Sequence, residues 1–153
     1  MSSGSSRRDG GAGRRHRGRE LALRVLFELE GTQRDAEEAL LYQAADLGAT
    51  RDVVDHARAL VTGTLAASAT VDGAIGDASD NWRLEDIGKV ERAVLRLGTY
   101  ELLYMPDIPV GVAIDEAIEL ARTYAGAEAA PFVNGVLGRI ATGPASAVRN
   151  GHT

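Results

Sequence analysis

VERAVLRLGTYELLYMPDIPVGVAIDEAIELARTY (Val90–Tyr124), followed after Ala125–Ala130 by PFVNGVLGRI (Pro131–Ile140), is the stretch whose reading decides the fold. In its first part Val90, Val94, Leu97 and Tyr104 form one stripe, flanked by Leu95 and Leu102, so the spacing predicts a long helix from Glu85 to Tyr104. Pro106 and Pro109 then impose a turn, and Pro109 sits where a first-turn proline is tolerated. Val110, Ala113, Ala117, Leu120 and Tyr124, with Ile114, Ile118 and Ala121, give the next helix a broad apolar face that Gly126 should end. Pro131 suits the start of another helix carrying Phe132, Val133, Val136, Leu137 and Ile140.

The upstream half follows the same rules. Leu21, Val25 and Leu29, with Ala22 and Leu26, predict an amphipathic helix over 17–29 that stops near Gly31. Further helices are expected over 36–47, ending at Gly48, from Thr50 to about Ser68, and from Thr70 toward Ala78, before Asp80-Asn81 interrupts the chain ahead of Trp82. No alternating stretch argues for a sheet, so the expected class is all-α. The expected architecture is a compact bundle of about seven helices in two packed halves, 14–69 and 70–142. A disordered basic arm (1–13) precedes it and a flexible tail (143–153) follows.

A length of 153 residues fits one domain or two small helical halves, and 44% apolar content supplies a core. The absence of cysteine excludes disulfides, thiol nucleophiles and Cys-bound zinc. No apolar run is long enough to span a membrane, and the N-terminus lacks an apolar h-region, so a cytoplasmic address is expected. Residues 1–19 hold six arginines and one aspartate, so the remainder is more acidic than the net charge of -5 suggests. An acidic body with a basic arm suits a protein that holds a polyanion at one place; a solubilising tail is the alternative, and charge alone leaves both open.

Catalytic and metal signatures are missing. His16, His56 and His152 lack metal-ligand spacing, and no cofactor is implied. Asp115, Glu116 and Glu119 read as early-helix acids favoured by the macrodipole rather than as a catalytic dyad. Gly10, Gly11 and Gly13 follow no strand and lack a GK[ST] ending, so they mark no phosphate loop. Gly135 and Gly138 read as points of close helix packing.

On the first helix Arg17 and Arg24 stand on nearly one face, with Phe27 a turn beyond. Guanidinium groups that meet phosphates beside a ring that stacks on bases suit single-stranded RNA. From the residues alone Phe27 reads as core.

Leu95, Arg96, Tyr100, Glu101 and Leu102, then Val112 to Ala121, then Phe132 to Leu137, succeed one another in a pattern that resembles the NusB family of bacterial transcription antitermination factors. The resemblance runs from about Arg14 to Ala141. It is strong after Val90, clear through HARALVTGTLAASATVDGAI, and weak between Gly31 and Asp52. It implies binding of boxA RNA by the arginine-rich segment RRHRGRELALRVLF, with Arg14, Arg15, Arg17, Arg19, Arg24 and Phe27 as contacts, and by Tyr124, Glu128 and Phe132 on another rim. It also implies a small-subunit ribosomal protein partner, NusE, met by Trp82, Glu85 and Glu91 in WRLEDIGKVERAVLR. Further implied partners are other Nus factors and the RNA polymerase elongation complex, with a homodimer left open. Two departures bear on the contacts: Gly111 stands where many relatives carry a basic residue, and the arm holds arginine but no lysine.

The resemblance therefore implies a non-enzymatic antitermination factor supporting ribosomal RNA transcription. Two alternatives are the RNA-recognition domain related to that of RNA cytosine methyltransferases, and a purely protein-binding helical scaffold. The first needs a nucleotide-binding domain and a cysteine nucleophile that this sequence lacks.

Overall fold

The computed structural model describes residues 10–80 and 82–150; His152 and the first nine residues of the expected arm lie outside them. Eight α-helices and one 3-10 turn, and no strand, occur among the described residues. They are α1 (Gly10–Leu29), α2 (Ala36–Leu47), α3 (Arg51–Ala66), α4 (Ser68–Ala78), a 3-10 turn (Leu84–Asp86), α5 (Lys89–Tyr104), α6 (Val110–Ala125), α7 (Ala129–Thr142) and α8 (Pro144–Asn150). The chain forms two compact units that divide between Thr62 and Gly63, inside α3, rather than near residue 70. No single helix among the described residues is long and apolar enough to cross a membrane.

In the first unit Leu21, Ala22, Val25 and Leu26 turn the inner face of α1 away from water, and α1 packs on α2 through a core that includes Ala39, Leu40 and Ala44. Asp35 caps α2 by accepting the Glu38 N–H at 3.1 Å. Gly48 ends it in the left-handed conformation (φ 65°), with its N–H returned to Ala44 and Ala45 carbonyls. Helix α1 begins at Gly10, ahead of the expected onset of order near Arg14. The reason is cooperative: once the apolar stripe from Leu21 onward anchors the helix, adding a turn costs far less than nucleating one.

In the second unit α5 is the central element and touches α4, α6, α7 and α8. Its buried residues, among them Ala93, Val94, Leu95, Leu97, Gly98, Leu102 and Leu103, occupy nearly its whole circumference, as expected of a helix enclosed by others. Two readings of this segment are corrected. The helix starts at Lys89, because Leu84–Asp86 form the 3-10 turn and Gly88 is the N-cap. Tyr104 leaves the apolar stripe; it is 45% exposed and stacks on Tyr100 with ring centroids 5.2 Å apart.

Gly135 and Gly138 are not the points of close packing the sequence suggested, whereas Gly98 is closely packed. A Cβ at Gly98 would lie 3.0 Å from Leu137 Cδ1 and 3.5 Å from Ala117 Cβ, so α5, α6 and α7 converge there. A Cβ at Gly135 or Gly138 would meet no atom within 4 Å outside its own helix. The tail is also corrected. Residues 144–150 form α8, Ala145 is fully buried, and Arg149 donates to the carbonyls of Leu102 and Ile108 at 2.9 and 2.7 Å. Leu102 belongs to the last turn of α5, whose carbonyls lack intrahelical donors, and Ile108 to the turn that follows; one guanidinium supplies both from 47 and 41 residues away.

Candidate functional site

The first helix, α1, carries the arginine-rich segment. At about 100° per residue, Arg17 and Arg24 project on one side and Arg19 about 200° away from Arg17. Arg14, Arg15 and Arg17 are exposed; Arg14 also lies 3.6 Å from Asp52. Arg24 is partly buried and donates to Asp46 at 3.2 Å. Phe27 is 39% exposed, so its ring is not enclosed by the core as the residues alone suggested.

Arg19 corrects the sequence reading. It is 3% exposed, on the side of the helix that carries Ala22 and Leu26, and is not presented to an RNA strand. The helical wheel carried that signal, but the dense run of arginines obscured it. Next to it, the His56 ring covers Gly18, where a Cβ would collide with His56 Cδ2. Burial first, then the positive charges of Arg19 and Arg15, push the His56 pKa below its ordinary 6.5.

A pH dependence follows. Below pH 6.5 the unfolded chain takes up a proton that folded His56 resists, so stability is full well above 6.5 and falls as acid carries the solution through that value toward the depressed folded one. Urea titrations from pH 8 to pH 5 should show this loss, and His56→Gln should flatten it. An unchanged slope in the variant would dismiss His56 as its source.

In the second unit the Trp82 and Phe132 rings meet edge to face, 6.1 Å apart at 66°. A shallow depression of about 220 Å³ opens on each side of the pair. One is lined by Asp86, Ile87, Gly88, Glu91, Glu128 and Ala129 beside the two rings. It lies at the starts of α5 and α7, with Gly88 and Glu128 at their N-caps, where the macrodipole favours carboxylates. The other is lined by Ser79, Asp80, Pro131, Gly135 and Arg139 beside the rings.

The structure thus brings Trp82 and Glu91, read as protein contacts, together with Glu128 and Phe132, read as RNA contacts, around one acidic depression. Glu85 does not line it; it is exposed and lies 3.4 Å from Arg83. Tyr124, half-buried near the end of α6, lines neither depression. Asp86, Asp80, Gly135 and Arg139 were not singled out as site residues from the sequence. Nothing in the local spacing of Asp80 and Arg139 joins a turn before α5 to the last turn of α7.

Residues 16–142 match the model of the NusB family. The chain is 42% identical over 127 residues to the transcription antitermination protein NusB of Exiguobacterium sp., covering 83% of this chain and 96% of that protein. It is 43% identical over 133 residues to NusB of Myxococcus xanthus, covering 84% and 95%. It is also 42% identical to NusB of Heliobacterium modesticaldum, of whose length the match spans 62%. Among solved structures, T. maritima NusB superposes with a TM-score of 0.78 at 37% identity, covering 86% of this chain and 92% of that one. The antitermination factor NusB, in a crystal structure with NusE and double-stranded RNA, gives a TM-score of 0.78 at 26% identity, covering 84% and 96%. An all-helical chain with an arginine-rich first helix, matched to the family over residues 16–142, belongs to the NusB family.

Proposed function

We propose that this protein is a cytoplasmic, non-enzymatic transcription antitermination factor that binds boxA-bearing single-stranded RNA together with a ribosomal protein of the NusE type. In that role it delivers nascent ribosomal RNA transcripts to the elongation machinery. The observation that carries the reading is the outward face of α1, where Arg14, Arg15 and Arg17 are exposed and Phe27 follows on the same helix. Guanidinium groups neutralise phosphates, and a ring with an accessible face stacks on an unpaired base.

The acidic depression favours the other ligand. Asp86, Glu91 and Glu128 repel phosphates, and with the Trp82 and Phe132 rings they suit a basic protein segment whose aliphatic stems lie along the rings. Glu128 is accordingly reassigned from RNA to this partner-facing group, while Phe132 and Trp82 stand between the two sides.

The test is fluorescence anisotropy with boxA RNA and a scrambled control, with and without the NusE-type partner, at several salt concentrations. Selective, partner-enhanced binding is expected. The double variant Arg15→Gln/Arg17→Gln should weaken binding and reduce the salt slope by about 1.4, at roughly 0.7 per phosphate neutralised. Arg19→Gln should instead lower stability. Equal, weak binding to both RNAs would leave a protein-binding helical scaffold.

A further inference from the structure

We infer that the second depression, bounded by Asp80, Trp82, Phe132, Gly135 and Arg139, is a socket for one unstacked base of the single-stranded RNA. The inference rests on the RNA-binding reading, with Phe132 among its RNA contacts, and adds to it the socket that Asp80, Gly135 and Arg139 form beside that ring.

Gly135 lies in the interior of α7, where glycine is less stable than alanine, yet its backbone is ordinary helix and no neighbour would touch an added Cβ. Neither packing nor backbone geometry requires glycine there. What the missing side chain does provide is a bare floor on which a flat ring can approach the helix backbone closely.

The walls and rim fit the same occupant. Trp82 is 52% exposed and stands edge to face with Phe132, offering aromatic surface to a base. At the rim, Arg139 Nη1 donates to the Ala78 carbonyl at 2.6 Å, and Nη2 lies 3.5 Å from Asp80 Oδ2. That bond orients the guanidinium, while its side chain stays 53% exposed. Asp80, at a φ of 48°, is held in a conformation that side-chain-bearing residues rarely adopt. A carboxylate that accepts and a guanidinium that donates, side by side, match the mixed donors and acceptors of a base edge.

Size and charge favour this occupant. At about 220 Å³ the depression is smaller than the ~300–1,000 Å³ of pockets that enclose drug-sized ligands, and it suits one flat ring system. Three carboxylates line the opposite side of the ring pair, whereas here Arg139 balances Asp80. A polyanionic strand is therefore admitted on the Gly135 side, and a basic peptide finds its charge complement on the other.

The experiment uses the full-length protein and boxA RNA, with Gly135→Leu to fill the floor and Arg139→Gln to remove the charged fork. Affinity is read by anisotropy and melting temperature by circular dichroism. The emission of Trp82, the single tryptophan, reports an approaching base. Gly135→Leu should weaken RNA binding about ten-fold or more, the expected scale for one stacked base, and abolish RNA-induced quenching of Trp82. Its melting temperature should be unchanged or higher, and its binding to the NusE-type partner should be kept. Arg139→Gln, which retains a donor toward Ala78, should weaken RNA binding less.

Wild-type affinity and quenching in both variants would overturn the socket and leave the RNA-binding reading intact. Absence of selective RNA binding by the wild type would overturn both. Loss of partner binding in Gly135→Leu with RNA binding intact would give the depression to the protein partner instead.

Discussion

Arg149→Ala should destabilise the second unit by about 2–4 kcal/mol. Hydrogen bonds from a charged donor contribute roughly 1.5–3 kcal/mol each, and losing a donor to buried carbonyls adds their desolvation cost. Arg149 makes two short bonds, to Leu102 O at 2.9 Å and Ile108 O at 2.7 Å. Its contacts with Glu101 O and Met105 O at 3.2 Å and with Pro106 O at 3.4 Å are weaker. Bonds that share one guanidinium are not additive, so the loss is of the scale of the two short ones. Urea unfolding followed by Trp82 emission measures it within the second unit. Arg149→Lys should recover less than half of the loss, since one ammonium does not reproduce a planar fork. A midpoint unchanged in Arg149→Ala would mean that α8 is not held by this residue.

Leu137→Ala should cost about 3–5 kcal/mol, the range for a fully buried leucine whose surroundings relax incompletely. Leu137 is 0% exposed, and its methyls fill the space left by the absent side chain of Gly98. The same contact makes a second expectation. Gly98→Ala alone forces a Cβ to within 3.0 Å of Leu137 Cδ1 and should be destabilising, whereas in the Leu137→Ala background the added methyl enters the void. A double-mutant cycle should therefore show a coupling of about 1 kcal/mol or more, in the favourable direction. Additive effects would show that the two positions do not share this space.

Much of this architecture was legible in one dimension. Apolar residues at helical spacing located the helices over 36–47 and 110–125 closely, because periodicity and the glycines at 48 and 126 act within a few residues of chain. The amphipathic first helix followed from local pattern, whereas an accessible Phe27 followed only from the family resemblance, since the residues alone read it as core. The partly wrong readings share one cause. Arg19 was grouped with its arginine neighbours, although a residue two positions from Arg17 points to the opposite side of a helix. Gly135 and Gly98 look alike as helix-interior glycines, and only the presence of Leu137 over one of them separates their meanings.

The sequence by itself determined the all-helical class, the family and the segments that carry charge, since these depend on composition and on spacing along the chain. Tertiary structure alone decided that residues 144–150 dock, that Trp82 and Phe132 divide an acidic depression from one floored by Gly135, and that Asp80 meets Arg139. Periodicity states which face of a helix avoids water but not which surface will cover it. A buried carbonyl or an aromatic edge is satisfied by whatever the fold brings near, and that partner can stand forty or more residues away.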